Sequence, residues 1–395
     1  MNLKFIGGIL LIVGTSIGGG MLALPVATAA AGFWSSSIFL LLCWAIMTLG
    51  ALFILEANLY LPPGKHMVSM AAATLGNSGL LVAWLSYLFL LYTLLSAYIS
   101  GGADVMGSLF SRIGISLSEW QSSLLFTLLF GSIVYSGIHK VDLLNRALMF
   151  GKLAIYLILV ILIAPHVHMV NLAVGNYRYI TSSIMILITS FGFAIIVPNL
   201  RDYFNDDLIT LRKVILIGSL IPLICYLAWN AVIIGSLPTQ GEKGLAALMQ
   251  SEHTTSDLAN VLSTTVQSTT INTFFNFFTS ICMLTAFLGV ALCLISFLAD
   301  GLKVEQKGRS GLLLFILTFL PPLLIVIYYP GAYIHALNYA GIICVVLLLL
   351  LPALMVAYGR KKFAGRYQVV GGFYTPWSIV IISIILLLNA IMQLF

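Results

Sequence analysis

Runs of about 20 apolar residues, parted by short polar stretches, recur eleven times along this chain, and few folds accept such a pattern. A run of that length crosses the hydrocarbon of a bilayer. Inside hydrocarbon each backbone N–H and C=O needs a partner within its own segment, so the runs must be helices. They lie near 5–31, 34–60, 80–103, 121–138, 147–164, 179–200, 212–236, 270–299, 311–329, 332–357 and 376–394. Charged residues make up 8% of the chain, against about 25% in soluble domains, which excludes a soluble enzyme. The fold class is therefore an all-α polytopic membrane protein with about 11 transmembrane helices.

Lys4, the apolar run after it and the small residues Ala27 to Ala31 superficially resemble a cleavable signal peptide. The run extends from Phe5 to about Gly32, well beyond a signal core of roughly 7 to 15 residues, so it reads as a first span. Alternating crossings from a cytoplasmic N-terminus gather fifteen Lys and Arg residues on one side, among them Lys65, Lys140, Arg146, Arg201, Arg360 and Arg366. Only Arg112, Arg178 and Lys243 fall on the other. That bias fits a cytoplasmic N-terminus and an outside C-terminus. It also accounts for the net charge of +6, so the expected partners are membrane lipids and not nucleic acid. The five cysteines lie inside apolar runs without a CxxC pair, so neither a disulfide framework nor a metal site is expected. The long connection at 237–269 is polar, and residues 257–262 within it suit a short surface helix.

Two spans carry helix breakers. The first contains Gly14-Thr15-Ser16-Ile17-Gly18-Gly19-Gly20 and then Pro25; the sixth contains Ser190-Phe191-Gly192-Phe193 and then Pro198. Each glycine costs a helix about 1 kcal/mol relative to alanine, and proline removes a donor. Gly14 and Gly18 also satisfy GxxxG, a helix-packing motif. Gly19 and Gly20 exceed what a packing face needs and favour an unwound segment beside a cavity. The breaks are five spans apart. Residues 1–164 and 179–357 would then form two five-span repeats of inverted topology, with 358–395 as a loop and an eleventh span, and paired breaks point to a substrate site. A half-helix starting near Gly19 offers amides and a positive dipole end to a carboxylate, and the freed carbonyls suit an ammonium. A zwitterionic amino acid presents both groups.

The same residues spell GxSxG, the nucleophile elbow of hydrolases, but that motif needs a strand before it and a His and an acid nearby. Five histidines fall in predicted loops, including His166 and His168, and His335 opens the tenth span. No catalytic residue, metal or cofactor is assigned. Charges within spans are functional suspects, since each costs about 2.5–3.5 kcal/mol at the bilayer centre. Glu56 suits pairing with a helix end or a loop ahead of a role in coupling, and Asp104 a solvated or capping role. Lys152 either snorkels to the interface or points its ammonium at the first break, where it would replace a coupling cation and act as a proton-linked switch. Among the aromatics, Phe191 and Phe193 flank the second break and are candidates for a substrate side chain, followed by Tyr92 and Phe287.

These residues resemble the hydroxy and aromatic amino acid permeases, in particular the bacterial tyrosine and tryptophan permease type. The resemblance rests on Gly14 to Pro25, on Tyr98-Ile99-Ser100-Gly101-Gly102, on Ser190 to Phe193, on Phe287-Leu288-Gly289-Val290-Ala291-Leu292 and on Phe319-Leu320-Pro321-Pro322. It covers nearly the whole chain. It implies the amino acid, polyamine and organocation superfamily, the five-plus-five inverted repeat of the leucine transporter type with helices 1 and 6 broken, and proton-driven uptake across a bacterial inner membrane. Carried over, Gly18, Gly19 and Gly20 would hold the substrate carboxylate, Thr15 and Ser16 polar groups nearby, and Ser190, Phe191 and Gly192 the amino group and side chain. In sodium-coupled relatives a second-sodium site uses carbonyls matching Gly14 and Ile17 and two neighbouring hydroxyl residues; this chain has Thr285 and Ala286 there, so one ligand is missing. Lys152 matches a lysine of proton-coupled members, which favours H+ over Na+. Ala194 and Ser296 stand where close tyrosine permeases tend to have His and Asp, which alters the side-chain pocket. The expectation is a proton-coupled importer of an aromatic amino acid, tyrosine before tryptophan. Its rivals are a sodium-coupled or exchanging permease for another neutral amino acid, an intramembrane hydrolase using Ser16, and a nontransporting amino acid sensor.

Overall fold

The computed structural model describes residues 3–136, 138–241, 244–363 and 367–393, and the chain is helical along nearly all of them. Helices α1 (Leu3–Ser16) and α2 (Gly19–Thr28) meet at 51° across a two-residue gap. They are followed by α3 (Phe33–Asn58), α4 (Met67–Arg112), α5 (Glu119–Tyr135), α6 (Ile138–Ile163) and the short α7 (Met169–Ala173). A train of short pieces comes next: a 3-10 turn (Tyr177–Ser183), α8 (Ile184–Ser190), a second 3-10 stretch (Gly192–Ile196) and α9 (Val197–Tyr203). Then come α10 (Leu208–Ser236), α11 (Thr254–Val266), α12 (Thr269–Leu302) and α13 (Gly308–Tyr328). Helix α14 (Ala332–Cys344) passes through a π-helical turn (Val345–Leu350) into α15 (Leu351–Lys362), and α16 (Tyr374–Met392) ends the series.

Among the described residues nine of these segments are long and apolar enough to cross a membrane, and the bent pair α1–α2 makes ten. The eleventh run expected from sequence is α5. Its 17 residues rise about 26 Å, short of the roughly 30 Å of hydrocarbon. Several helices outrun their apolar stretches. Helix α4 spans 67–112 where the apolar run covers 80–103, because a helix closes its own hydrogen bonds whatever its side chains and can continue as a polar rod past the lipid. It bends only at Gly76, whose φ of 74° few other residues adopt. Lys243, Arg366 and the side chains of His139, Lys140 and Arg146 lie outside the described residues.

Helix α4 is the strut of the bundle, packed against α5, α12, α13, α14 and α15. Around it, α12 lies on α6, α1 on α10, and α2 on α8, which encloses both interrupted segments. The core is apolar and includes one fully buried lysine, Lys152. Large apolar side chains such as Leu42, Ile161, Ile224 and Ile385 face outward from the spanning helices, a surface suited to hydrocarbon. The helix expected at 257–262 is longer, 254–266, and only one of its faces, which carries Asn260 and Thr264, stays exposed. It buries Thr255, Leu258 and Leu262 against α12 and α4.

Asp104 fixes that helix in place. It accepts from the backbone N–H of Thr255 (3.0 Å) and of Ser256 (2.9 Å) and from both side-chain hydroxyls, capping the N-terminus of α11. His253 lies 3.4 Å from Asp104 and 3.5 Å from Glu119 of α5. The hydrogen bond that the His253 ring donates to Asp104, the largest influence, pushes the His253 pKa up to about 9. Glu56, proposed from sequence as a coupling residue, is wholly buried and pairs with Arg360 of α15 through Nε (2.6 Å) and a terminal nitrogen (2.8 Å). It also accepts from Tyr60 Oη and Val369 N. This bidentate pair ties α3 to α15.

Candidate functional site

At the first break Gly18 is extended, and α2 restarts at Gly19. Ile17 N–H still closes the last turn of α1 on Val13 O at 2.8 Å. The first-turn amides of Gly19 and Gly20 have no carbonyl of α2 within reach, as at any helix start. Carbonyls freed on the α1 side would be costly orphans in a membrane interior, and two of them, Ser16 O and Ile17 O, receive donors from other helices, as does Gly19 O in the first turn of α2. Tyr226 Oη of α10 donates to Ser16 O at 2.6 Å. Lys152 Nζ of α6 donates to Ile17 O at 2.5 Å. Tyr333 Oη of α14 donates to Gly19 O. Lys152 also reaches Thr285 Oγ1 of α12 at 3.4 Å, and among the described residues no carboxylate forms an ion pair with it.

The second interruption is gentler. Helix α8 stops at Ser190, the chain runs on as 3-10 helix from Gly192, and α9 resumes with Pro198 in its first turn, where a missing N–H is harmless. Ser190 O accepts from Tyr226 Oη at 2.8 Å, so one phenol bridges the two breaks. The Tyr226 ring meets Phe191 edge-on, with centroids 5.2 Å apart. The breaks lie against each other: a Cβ added at Gly20 would sit 3.2 Å from Ser190 Oγ.

The structure therefore brings together Ser16, Ile17, Gly19, Gly20, Ser190, Phe191, Lys152 and Thr285. Gly18 faces Ala286, 3.6 Å from where its own Cβ would be, and Gly14 packs on Met149 of α6. Ser16 Oγ is buried without a hydrogen-bond partner, whereas Ser190 Oγ is held by Ile186 O at 2.9 Å. Phe193 is fully buried, a Cβ on Gly192 would rest in ordinary contact with Cys344 Sγ at 3.9 Å, and Phe287 lies in a ring cluster with Phe126 and Phe319. Three expected residues lie elsewhere. Thr15 is exposed and its hydroxyl donates to Leu11 O at 2.7 Å, Tyr92 Oη donates to Leu317 O at 2.7 Å, and Glu56 is in the ion pair described above.

Sequence reasoning missed Tyr226, Tyr333, Tyr98 and Met283. The Tyr98 ring stands where a Cβ on Gly19 would fall, 2.7 Å from Cε1, with Met283 Sδ at 3.4 Å. Tyr98 opens one of the motifs that carried the family resemblance; Tyr226 and Tyr333 have no local signal, since a tyrosine in an apolar run reads as an interfacial belt. A separate cavity of about 300 Å³ opens at the α11 end, lined by Asp104, Glu119, Ser122, Glu252 and His253.

The chain is similar to known transporters in sequence and in fold. The chain is 33% identical to "Tyrosine-specific transport system 1" of Haemophilus influenzae, over 97% of this chain and 95% of the relative. It is 31% identical to a "Tryptophan-specific transport protein" of Pseudomonas aeruginosa, over 98% and 94%. It is also 31% identical to "Glutamine transporter 2" of Aliivibrio fischeri, over 92% and 91%. Among solved structures, Mhp1, a nucleobase-cation-symport-1 family transporter in a closed conformation with bromovinylhydantoin bound, superposes with a TM-score of 0.62 over 98% of this chain and 91% of its own, at 13% identity. That is a likeness of fold, of the leucine transporter type. The profile of the tryptophan/tyrosine permease family matches residues 1–391. The chain belongs to the tryptophan/tyrosine permease family, and it is a membrane transporter and not an enzyme.

Proposed function

We propose that the protein imports an aromatic amino acid, tyrosine first and tryptophan next, and couples uptake to protons. In this reading eleven spans form a five-plus-five inverted repeat (1–164 and 179–357, with 358–395 added), spans 1 and 6 are broken, the membrane is a bacterial inner membrane, and the N-terminus is cytoplasmic and the C-terminus outside. The substrate lies between the breaks, where discontinuous helices of such transporters place it. Its carboxylate meets the Gly18, Gly19 and Gly20 amides at the start of α2, its ammonium the Ser16 and Ser190 carbonyls, and its side chain Phe191, with Phe193 and Phe287 in the surrounding wall.

The observation that carries the coupling is the Lys152 ammonium on Ile17 O. It occupies a carbonyl that a sodium ion would use in sodium-coupled relatives, and Ala286 offers no second hydroxyl there. Protonated, Lys152 holds the bend by a charge-assisted hydrogen bond, worth about 1.5–3 kcal/mol. When the proton leaves to the other side, an ordinary hydrogen bond replaces it and the bend relaxes. Proton and substrate thus act on the same break.

A second reading, a sodium-coupled or exchanging permease for another neutral amino acid, draws support from the glutamine transporter among the relatives. Proteoliposomes decide between them. Labelled tyrosine is offered under a pH gradient or a sodium gradient, with tryptophan, phenylalanine, leucine and glutamine as competitors. Accumulation under the pH gradient, blocked by aromatic competitors, supports the first reading; sodium-driven uptake, or competition by glutamine alone, replaces it with the second.

A further inference from the structure

Tyr226 has one hydroxyl hydrogen and two carbonyls to serve. Its oxygen is 2.6 Å from Ser16 O and 2.8 Å from Ser190 O, and all three groups are buried. A phenol donates one hydrogen bond, so at any instant one of these carbonyls faces the hydroxyl oxygen without a full hydrogen bond. Unpaired carbonyls are costly in a dry interior. The buried Ser16 Oγ, also without a partner, adds a second unmet polar group on the same residue. A primary ammonium brings three donors and a positive charge, and would satisfy both carbonyls at once.

We infer that the Tyr226 hydroxyl is a built-in stand-in for the substrate's ammonium group: it bridges Ser16 O and Ser190 O in the empty site and yields to the amine when an amino acid binds. This rests on the placement of substrate between the two breaks given above. Because the Tyr226 ring packs edge-on against Phe191, release of the hydroxyl is felt at the residue assigned to the substrate side chain. Because Tyr226 belongs to α10, amine binding also removes the hydrogen bonds by which that helix joins the two breaks. Tyr226 is thus a positioning residue that makes the site selective for a free amine.

The test compares purified full-length protein and Tyr226→Phe in nanodiscs, measuring affinity for L-tyrosine and for its desamino analogue, 3-(4-hydroxyphenyl)propionate. With the competitor removed, L-tyrosine should bind roughly three- to tenfold more tightly, the scale of one hydrogen bond, and the analogue with unchanged affinity. Equal weakening of both ligands would make Tyr226 a fixed brace and overturn the inference. Should the variant not be recovered folded, 3-fluorotyrosine at position 226 gives a fluorine signal that should shift with L-tyrosine and stay with the analogue; identical responses to both overturn it. If the native protein binds neither tyrosine, tryptophan nor glutamine, the transport reading fails and this inference with it.

Discussion

The two interrupted segments touch, yet they are built on opposite principles. The first is abrupt: two residues, a 51° change of direction, and no local structure to absorb the freed backbone groups. Its carbonyls are served from α6, α10 and α14, helices far away in sequence. The second eases through five residues of 3-10 helix, whose i to i+3 hydrogen bonds satisfy the backbone locally, and only Ser190 O turns to a distant donor. Side-chain volume explains the contrast. Gly19 leaves room for Tyr98 and Met283 and Gly20 for Ser190, whereas Phe191 and Phe193 fill the second segment with their own rings. A break emptied of side chains hands control of its geometry to the rest of the protein, and a break that keeps them holds its own shape.

That contrast can be broken most forcefully at Lys152. Lys152→Gln keeps a donor but removes the charge, so pH-driven accumulation of tyrosine in proteoliposomes should fall on the order of tenfold to a hundredfold, with tyrosine exchange at equal pH falling less. Accumulation unchanged in both size and pH dependence would remove the first break from coupling. Next in size is a pair of glycines. Gly19→Ala drives a methyl into the Tyr98 ring and should weaken tyrosine binding roughly tenfold, from overpacking of about 1–3 kcal/mol. Gly192→Ala meets only Cys344 at 3.9 Å and should change binding by less than about threefold, the effect of under 1 kcal/mol. Equal losses would mean that the second segment is as tightly specified as the first.

Smaller again is Tyr333→Phe, which strips one donor from Gly19 O. A loss of about 1 kcal/mol should appear as a few-fold weaker affinity, read by the same binding assay. The smallest effect belongs to a control away from both breaks. His253 carries a pKa near 9 in the folded protein against a usual 6.5. Its contribution is therefore complete below about pH 6.5 and disappears as pH rises through about 9. His253→Ala should flatten the alkaline part of the melting profile by on the order of 2 °C, with tyrosine affinity at neutral pH unaffected.

The spans were legible because lipid tolerates little but apolar helix, and the first break because three consecutive glycines exceed what a helix-packing face needs. The ends of α4 and the start of α6 were not, since polar residues continue a helix without marking it. Nor was the difference between the breaks. From sequence Pro25 and Pro198 seem to punctuate both in one manner, but Pro25 sits within α2 without ending it and Pro198 opens α9. Tyr226 and Tyr333 escaped because a hydroxyl's partner depends on which helices become neighbours, a tertiary fact with no local trace. Lys152 was visible as a misplaced charge, but whether it reached for the interface or the first break was left open until its contact with Ile17 O was seen.

The cap at Asp104 turns a connection into a brace. Helix α11 is bolted to α4 at its start and joined to α12 by only Gln267 and Ser268 at its end. It also packs against α10. A single carboxylate thus staples the connection between α10 and α12 to the strut of the bundle.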